Sequence, residues 1–103
     1  MVNQGDVIRI NSIKADLLVL SKETFNKSGF AIVCPVLQDD AYGALNIRIF
    51  YDKYEGITHP EGIRAFDLSA RHYRLLGQIS FSDIQNITDA IQSIFDYYPF
   101  SLS

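Results

Sequence analysis

The stretch Phe30-Ala31-Ile32-Val33-Cys34-Pro35 decides how the rest of the chain is read. Five apolar residues, two of them β-branched, follow Gly29, and no helical period fits so short a run. It predicts a buried strand that Pro35 should end, because proline cannot donate to a sheet ladder. Upstream, Val7, Ile8 and Ile10 surround Arg9 in a first β-rich run opened by Gly5-Asp6. Asn11-Ser12 is a turn candidate, and Leu17-Leu18-Val19-Leu20 reads as a second buried strand, so the two should pair as an antiparallel hairpin. Ser21-Lys22-Glu23-Thr24-Phe25-Asn26 carries a capping-box pattern and predicts one helical turn started by Ser21.

Downstream, Gln38 to Gly43 reads as a polar loop. Asn46 to Phe50 alternates, which places Ile47 and Ile49 on one face of a half-exposed strand. Tyr51 to Gly62 holds Gly56, Pro60, Gly62 and several charges, and is expected to be a long loop. Ile63 to Leu68 and Arg71 to Ile79 are the last two expected strands. Ser80 is a good N-cap with Asp83 three residues on, and Ile84, Ile87, Ile91, Ile94 and Phe95 then form one apolar stripe of a helix. Tyr97, Tyr98, Pro99 and Phe100 leave an aromatic tail. Six short strands and a terminal helix predict a mainly β, single domain over 1–103, built as a small barrel or sandwich.

Composition narrows the function classes. The 103 residues suffice for one core, and 48% hydrophobic content with seven Phe and six Tyr is globular. The formal net charge of −3 is unlike that of a general nucleic-acid binder, although a local basic patch remains compatible with it. Cys34 is the single cysteine, so no internal disulfide can form, and it reads as a small buried hydrophobe in a reducing compartment. The N-terminus lacks an apolar signal core, and no run approaches the roughly 20 apolar residues of a membrane span. A cytoplasmic protein without membrane attachment is expected.

No Gly-rich phosphate loop, dinucleotide fingerprint or nucleophile elbow occurs, and one Cys with two distant histidines, His59 and His72, does not make a zinc site. No cofactor is expected.

Four segments, read in order, resemble the MazF/PemK toxin family. Gln4-Gly5-Asp6-Val7-Ile8-Arg9-Ile10 is similar to its first strand. Leu17-Leu18-Val19-Leu20-Ser21 with Phe25-Asn26 resembles its second strand and short helix, and Gly29 to Val36 its third strand with a valine-cysteine-proline end. Ile63-Arg64-Ala65-Phe66-Asp67, then Leu76-Gly77-Gln78-Ile79-Ser80 and the helix, resembles its C-terminal third. The resemblance implies an SH3-like barrel of the CcdB/PemK type with about six antiparallel strands and a C-terminal amphipathic helix. It also implies a homodimer, a cognate antitoxin and metal-independent RNA cleavage that inhibits growth.

The sequence departs from the family at the places that carry the chemistry. Where relatives have Arg-Pro before the second strand, this chain has Ala15-Asp16. Where they have a threonine after the proline of strand three, it has Leu37. Where PemK-type relatives have Asp-Gln before the fifth strand, it has His59, Glu61 and Gly62 nearby. Attack by a ribose 2′-hydroxyl on its own phosphodiester needs a base, an acid and a cation for the phosphorane charge. Ala15 and Leu37 supply none of these. A rearranged catalytic set would be His59, Glu61 and Arg64, with Lys14 and Arg48 holding RNA. Two other readings stay open: a degenerate binding module that acts on a protein target, as gyrase-poisoning toxins do, or only binds an antitoxin; and an inert domain.

Overall fold

The computed structural model describes residues 1–38 and 45–95. Its strands are β1 (Asp6–Ile10), β2 (Asp16–Val19), β3 (Phe30–Leu37), β4 (Ile47–Tyr51), β5 (Tyr54–Thr58), β6 (Arg64–Asp67) and β7 (Tyr73–Gln78). A helical turn, α1 (Glu23–Asn26), follows β2, and a longer helix, α2 (Phe81–Phe95), follows β7. All pairings are antiparallel. The sheet order is β4-β5-β3-β2-β1-β7, with β6 also on β3. Among the described residues, seven strands thus form where about six were expected.

The predicted β1–β2 hairpin forms, with Val7 opposite Leu18 and Ile8 opposite Leu17. The first strand also closes onto the last, Asp6 pairing with Gln78 and Ile10 with Tyr73. Between them lies an apolar layer on each sheet face, because successive side chains point to opposite sides. Val7, Leu18, Cys34, Val36, Ile49 and Tyr51 pack with Ile84 and Ile87 of α2. Ile8, Ile10, Leu17, Val19, Val33 and Phe66 form the second cluster, capped by Ile13 from the hairpin turn.

The helix begins where its cap predicts, the Ser80 hydroxyl accepting the Asp83 amide at 3.2 Å. Ile84 and Ile87 are buried, and burial of such side chains contributes about 1.5–3 kcal/mol each. Past them the stripe emerges, leaving Ile94 and Phe95 exposed. The aromatic tail and most of the expected polar loop after Gln38 lie outside the described residues.

Three expectations are corrected. Pro35 does not end β3, which runs on to Leu37. On one side β3 follows β2 without a break, with Pro35 opposite Leu17. On the other, β6 pairs with residues 30–33 and β5 with residues 36–37. The Pro35 carbonyl accepts the His59 amide at 3.0 Å on that second side. The missing N–H therefore falls in the gap between two partners, where no ladder bond is lost.

The second correction concerns residues 51–62, which form no long loop. A two-residue turn at Asp52-Lys53, with Asp52 at φ 56°, sends the chain straight into β5, and Pro60–Gly62 form a short 3-10 turn. In the third, Ser21 does not cap α1. Lys22 holds the N-cap position without a side-chain bond, and the Ser21 hydroxyl instead bonds the Asn26 side chain and accepts the Ile32 amide.

Candidate functional site

The β1–β2 turn, the end of β3 and the start of β6 come together at one rim of the sheet. Two surface depressions meet there at Ala15. The first, of about 270 Å³, lies between the hairpin and β6. Its floor is Leu17, Val33 and Pro35, with Ile13 and Ala15 on one side and Gly62 and Arg64 on the other. Arg64 is paired with Val33 across the ladder, which aims it over this floor. Its guanidinium carbon stands 5.0 Å from the Phe66 ring centroid, and that of Arg71 stands 4.5 Å from the same ring. The ring thus steadies two cations at this edge.

The second depression, of about 380 Å³, opens around Arg9, Lys14, Asp16, Leu37, Gln38 and Tyr54. Its electrostatics are set by one ion pair. Arg9 Nε donates to Asp16 Oδ1 at 2.8 Å and Arg9 Nη2 to Asp16 Oδ2 at 3.1 Å. The Tyr51 hydroxyl also donates to Asp16 Oδ2, at 3.1 Å. Asp16 is 4% exposed while the Arg9 side chain is 37% exposed, so the carboxylate is an anchor and the guanidinium is the face shown to solvent. The Asp16 hydrogen bond and charge raise the Arg9 pKa further. Burial, then the Asp16 charge, push the Tyr51 phenol up to about 12. The ring of Tyr54 stacks on Tyr51 with centroids 5.7 Å apart, and Arg9 lies 5.7 Å from the Tyr54 centroid.

The expected site residues fall into three groups. Arg64 and Lys14 border the two depressions that share Ala15. Glu61 directly precedes Gly62 of the first depression, and its Oε2 stands 4.0 Å from His59 Nδ1. His59 is 5% exposed and lines neither depression, and its Nε2 has no hydrogen-bond partner among the described residues. Arg48 stands apart, its Nη1 2.6 Å from Glu55 Oε2 on the β4–β5 surface. Burial, then the Glu61 charge, push the Cys34 thiol up to about 12, which rules it out as a ready nucleophile. Among the described residues, no group of three or more His, Cys, Asp and Glu is placed to hold a metal ion. No described helix is long and apolar enough to cross a membrane.

The Arg9–Asp16–Tyr51 network was missed in the sequence. Arg9 reads there only as a member of the first strand and Asp16 only as a replacement for proline. Opposite charges seven residues apart on either side of an expected hairpin turn were the available signal.

Residues 14–95 match the family model described as PemK-like, MazF-like toxin of type II toxin-antitoxin system. The chain belongs to the PemK-like, MazF-like toxin family. Among solved structures, it superposes on a Deinococcus radiodurans MazE-MazF crystal structure (Form-I) with a TM-score of 0.81 at 18% identity, covering 91% of this chain and 95% of that one. The Form-II MazE-MazF structure gives a TM-score of 0.80 at 17% identity, with 94% and 97% covered. The D. radiodurans MazF structure (Form-I) gives 0.79 at 16%, with 91% and 96% covered. At these identities the likeness speaks for the fold. Comparison with curated protein sequences gives no match. In this PemK-like chain, Ala15 and Leu37 stand where the resemblance expects arginine and threonine, and both lie on the rim just described.

Proposed function

We propose that this PemK-like toxin cleaves single-stranded RNA at the depression between the hairpin turn and β6. The observation that carries the reading is that Arg64 reaches from β6 over the floor shared with Ala15. A cation thus returns, from another strand, to the place the second strand leaves empty. Arg64 would hold the non-bridging oxygens as the phosphorane charge develops. Glu61, next in the chain to Gly62 of the depression, would take the 2′-hydroxyl proton as that oxygen bonds the phosphorus, while the P–O5′ bond breaks and the departing 5′-oxygen takes its proton from water. His59, behind it, would orient that carboxylate rather than touch RNA, given its burial and the 4.0 Å approach. Lys14 at the mouth would draw the strand in.

The test is cleavage of a mixed single-stranded RNA by the purified chain, scored beside growth arrest on expression. Arg64→Ala and Glu61→Gln should each lower the cleavage rate by about 10²–10⁴-fold. Equal rates in wild type and both variants would reject these roles, and growth arrest with intact RNA would reject cleavage. That last outcome favours the second reading, a binding module acting on a protein target. The observation on its side is that no imidazole lines the depression.

A cognate antitoxin is the proposed partner and the cytoplasm the proposed location; the D. radiodurans MazF that this chain resembles is solved together with MazE. A homodimer is also proposed. Phe81, Ile94 and Phe95 of α2 and Leu75 of β7 are well exposed, and large apolar side chains of this kind are commonly covered in an assembly. Light scattering on the isolated chain measures the mass directly.

A further inference from the structure

Between α2 and the start of β3 lies an apolar groove of about 250 Å³, lined by Leu20, Ser21, Ile32, Ile63, Thr88 and Ile91. No role has been given to it. We propose that it is the seat of the chain's own aromatic tail, with the Phe100 ring held between Ile63 and Ile91.

Three observations point to this occupant. The first is the chemistry of the lining. Its two hydroxyls are already committed, since Ser21 Oγ donates to Asn26 Oδ1 and accepts the Ile32 amide, and the Thr88 hydroxyl donates to the Ile84 carbonyl at 2.9 Å. What faces the groove is therefore the hydrocarbon of Leu20, Ile32, Ile63 and Ile91. Such a surface takes an apolar side chain, and a dry cavity of about 150 Å³ already holds benzene.

The second is continuity with the core. Leu20 belongs to the cluster that contains Ile84 and Ile87, and Ile91 packs against that cluster. The groove is the place where this cluster meets solvent, so a ring seated there extends the core.

The third is reach. Thr88, Ile91 and Phe95 follow one another at i, i+3 and i+7, so the chain leaves α2 on the same face as the groove. Phe95 stands about 6 Å along the axis beyond Ile91. The five residues from Asp96 to Phe100 span up to about 17 Å, enough to return that distance. Pro99 disfavours helical backbone at Tyr98, which turns the chain off the axis before Phe100. Asp96 is the one charged side chain among residues 96–103, whereas Tyr97, Tyr98, Phe100 and Leu102 supply bulk that a groove can cover.

The seat has a consequence for the rim. Gly62 and Arg64 line the proposed cleavage depression, and Ile63 between them lines the groove. The backbone at Ile63 is extended, with φ −63° and ψ 139°, so neighbouring side chains turn to opposite sides. A ring against Ile63 braces the segment that carries Arg64, which makes the tail a positioning element. This consequence rests on the RNA reading above; the docking does not.

Nuclear Overhauser contacts in the full chain test the docking without RNA. Contacts are expected from the Phe100 ring to the Ile63 and Ile91 methyls, and they should persist as contacts within one chain when labelled and unlabelled chains are mixed. In Phe100→Ser the Gly62 and Ile63 amides, which donate to the His59 and Pro60 carbonyls, should exchange several-fold faster, and RNA cleavage should fall several-fold. Absence of contacts from the Phe100 ring to these methyls would overturn the proposal. Contacts found only between chains would overturn it in favour of a second copy. Contacts within the chain, with equal cleavage by wild type and Phe100→Ser, would overturn the bracing role. Contacts within the chain and no cleavage by wild type would uphold the docking and reject the RNA reading alone.

Discussion

Gly56 of β5 lies directly against the side chain of Val36 of β3. A β-carbon at Gly56 would stand 2.5 Å from Val36 Cγ1, 3.2 Å from the Tyr51 hydroxyl and 3.3 Å from the Leu37 carbonyl. The close approach lets β5 reach the end of β3 and places Tyr51 under Asp16. Gly56→Ala should therefore cost about 1–3 kcal/mol, as overpacking of a filled site does. Urea unfolding checks it, and a variant as stable as wild type would show that the two strands can part without loss.

Removing Arg9 strands a buried carboxylate. Arg9→Ala should destabilise the fold by about 2–4 kcal/mol, below the full range for buried pairs because the guanidinium end is partly in water. Replacing both partners, as Arg9→Met with Asp16→Leu, should recover much of that loss, since no charge is then left without a partner. A double-mutant cycle in urea measures the difference. Equal losses in the single and double variants would mean that the pair is not the source.

Stability should fall at alkaline pH. The folded state raises the Cys34 thiol and the Tyr51 phenol from 9.0 and 10.0 to about 12 each. In both cases the neutral form is the one that folds. What they contribute is complete below about pH 9 and is lost as pH rises towards 12. The urea midpoint should decline over that window, and less steeply in Tyr51→Phe. Cys34 should react with a thiol reagent only at the rate of unfolding, and fast labelling of the native chain would contradict its burial.

His59 offers a way to separate stability from activity. Its Nε2 is buried without a partner among the described residues, so His59→Leu removes a polar atom that costs stability, and the fold should hold to within about 1 kcal/mol. Cleavage should nevertheless drop, through loss of the Glu61 contact. An unchanged cleavage rate in the folded variant would take His59 out of the mechanism.

The parts of the fold that were legible in the sequence are those specified locally. Val7 to Ile10, Leu17 to Leu20 and the Ser80 cap with its isoleucine stripe each carry their own pattern, and all three form. The misread parts depend on partners distant in the chain. Pro35 looks like a terminus until it is known that β6 stops and β5 starts on either side of it. Gly56 looks like a breaker until Val36 is seen to occupy the space of its missing side chain. The site divides in the same way. Arg64 and Lys14 were identifiable as cations in segments that meet at the rim, whereas the Arg9–Asp16–Tyr51 network needs the β4–β5 turn to bring Tyr51 beneath the hairpin.

The pairing of the first strand with the last has a temporal consequence. Asp6 receives a hydrogen bond from Gln78, 72 residues later, and β1 has its second edge open until β7 arrives. Contacts so far apart close slowly, because the intervening chain must first be gathered in. During translation β1 therefore gains its second partner only once the residues of β7 have been synthesised. Prematurely terminated products ending before β7 should therefore leave that edge of β1 unpaired and be degraded.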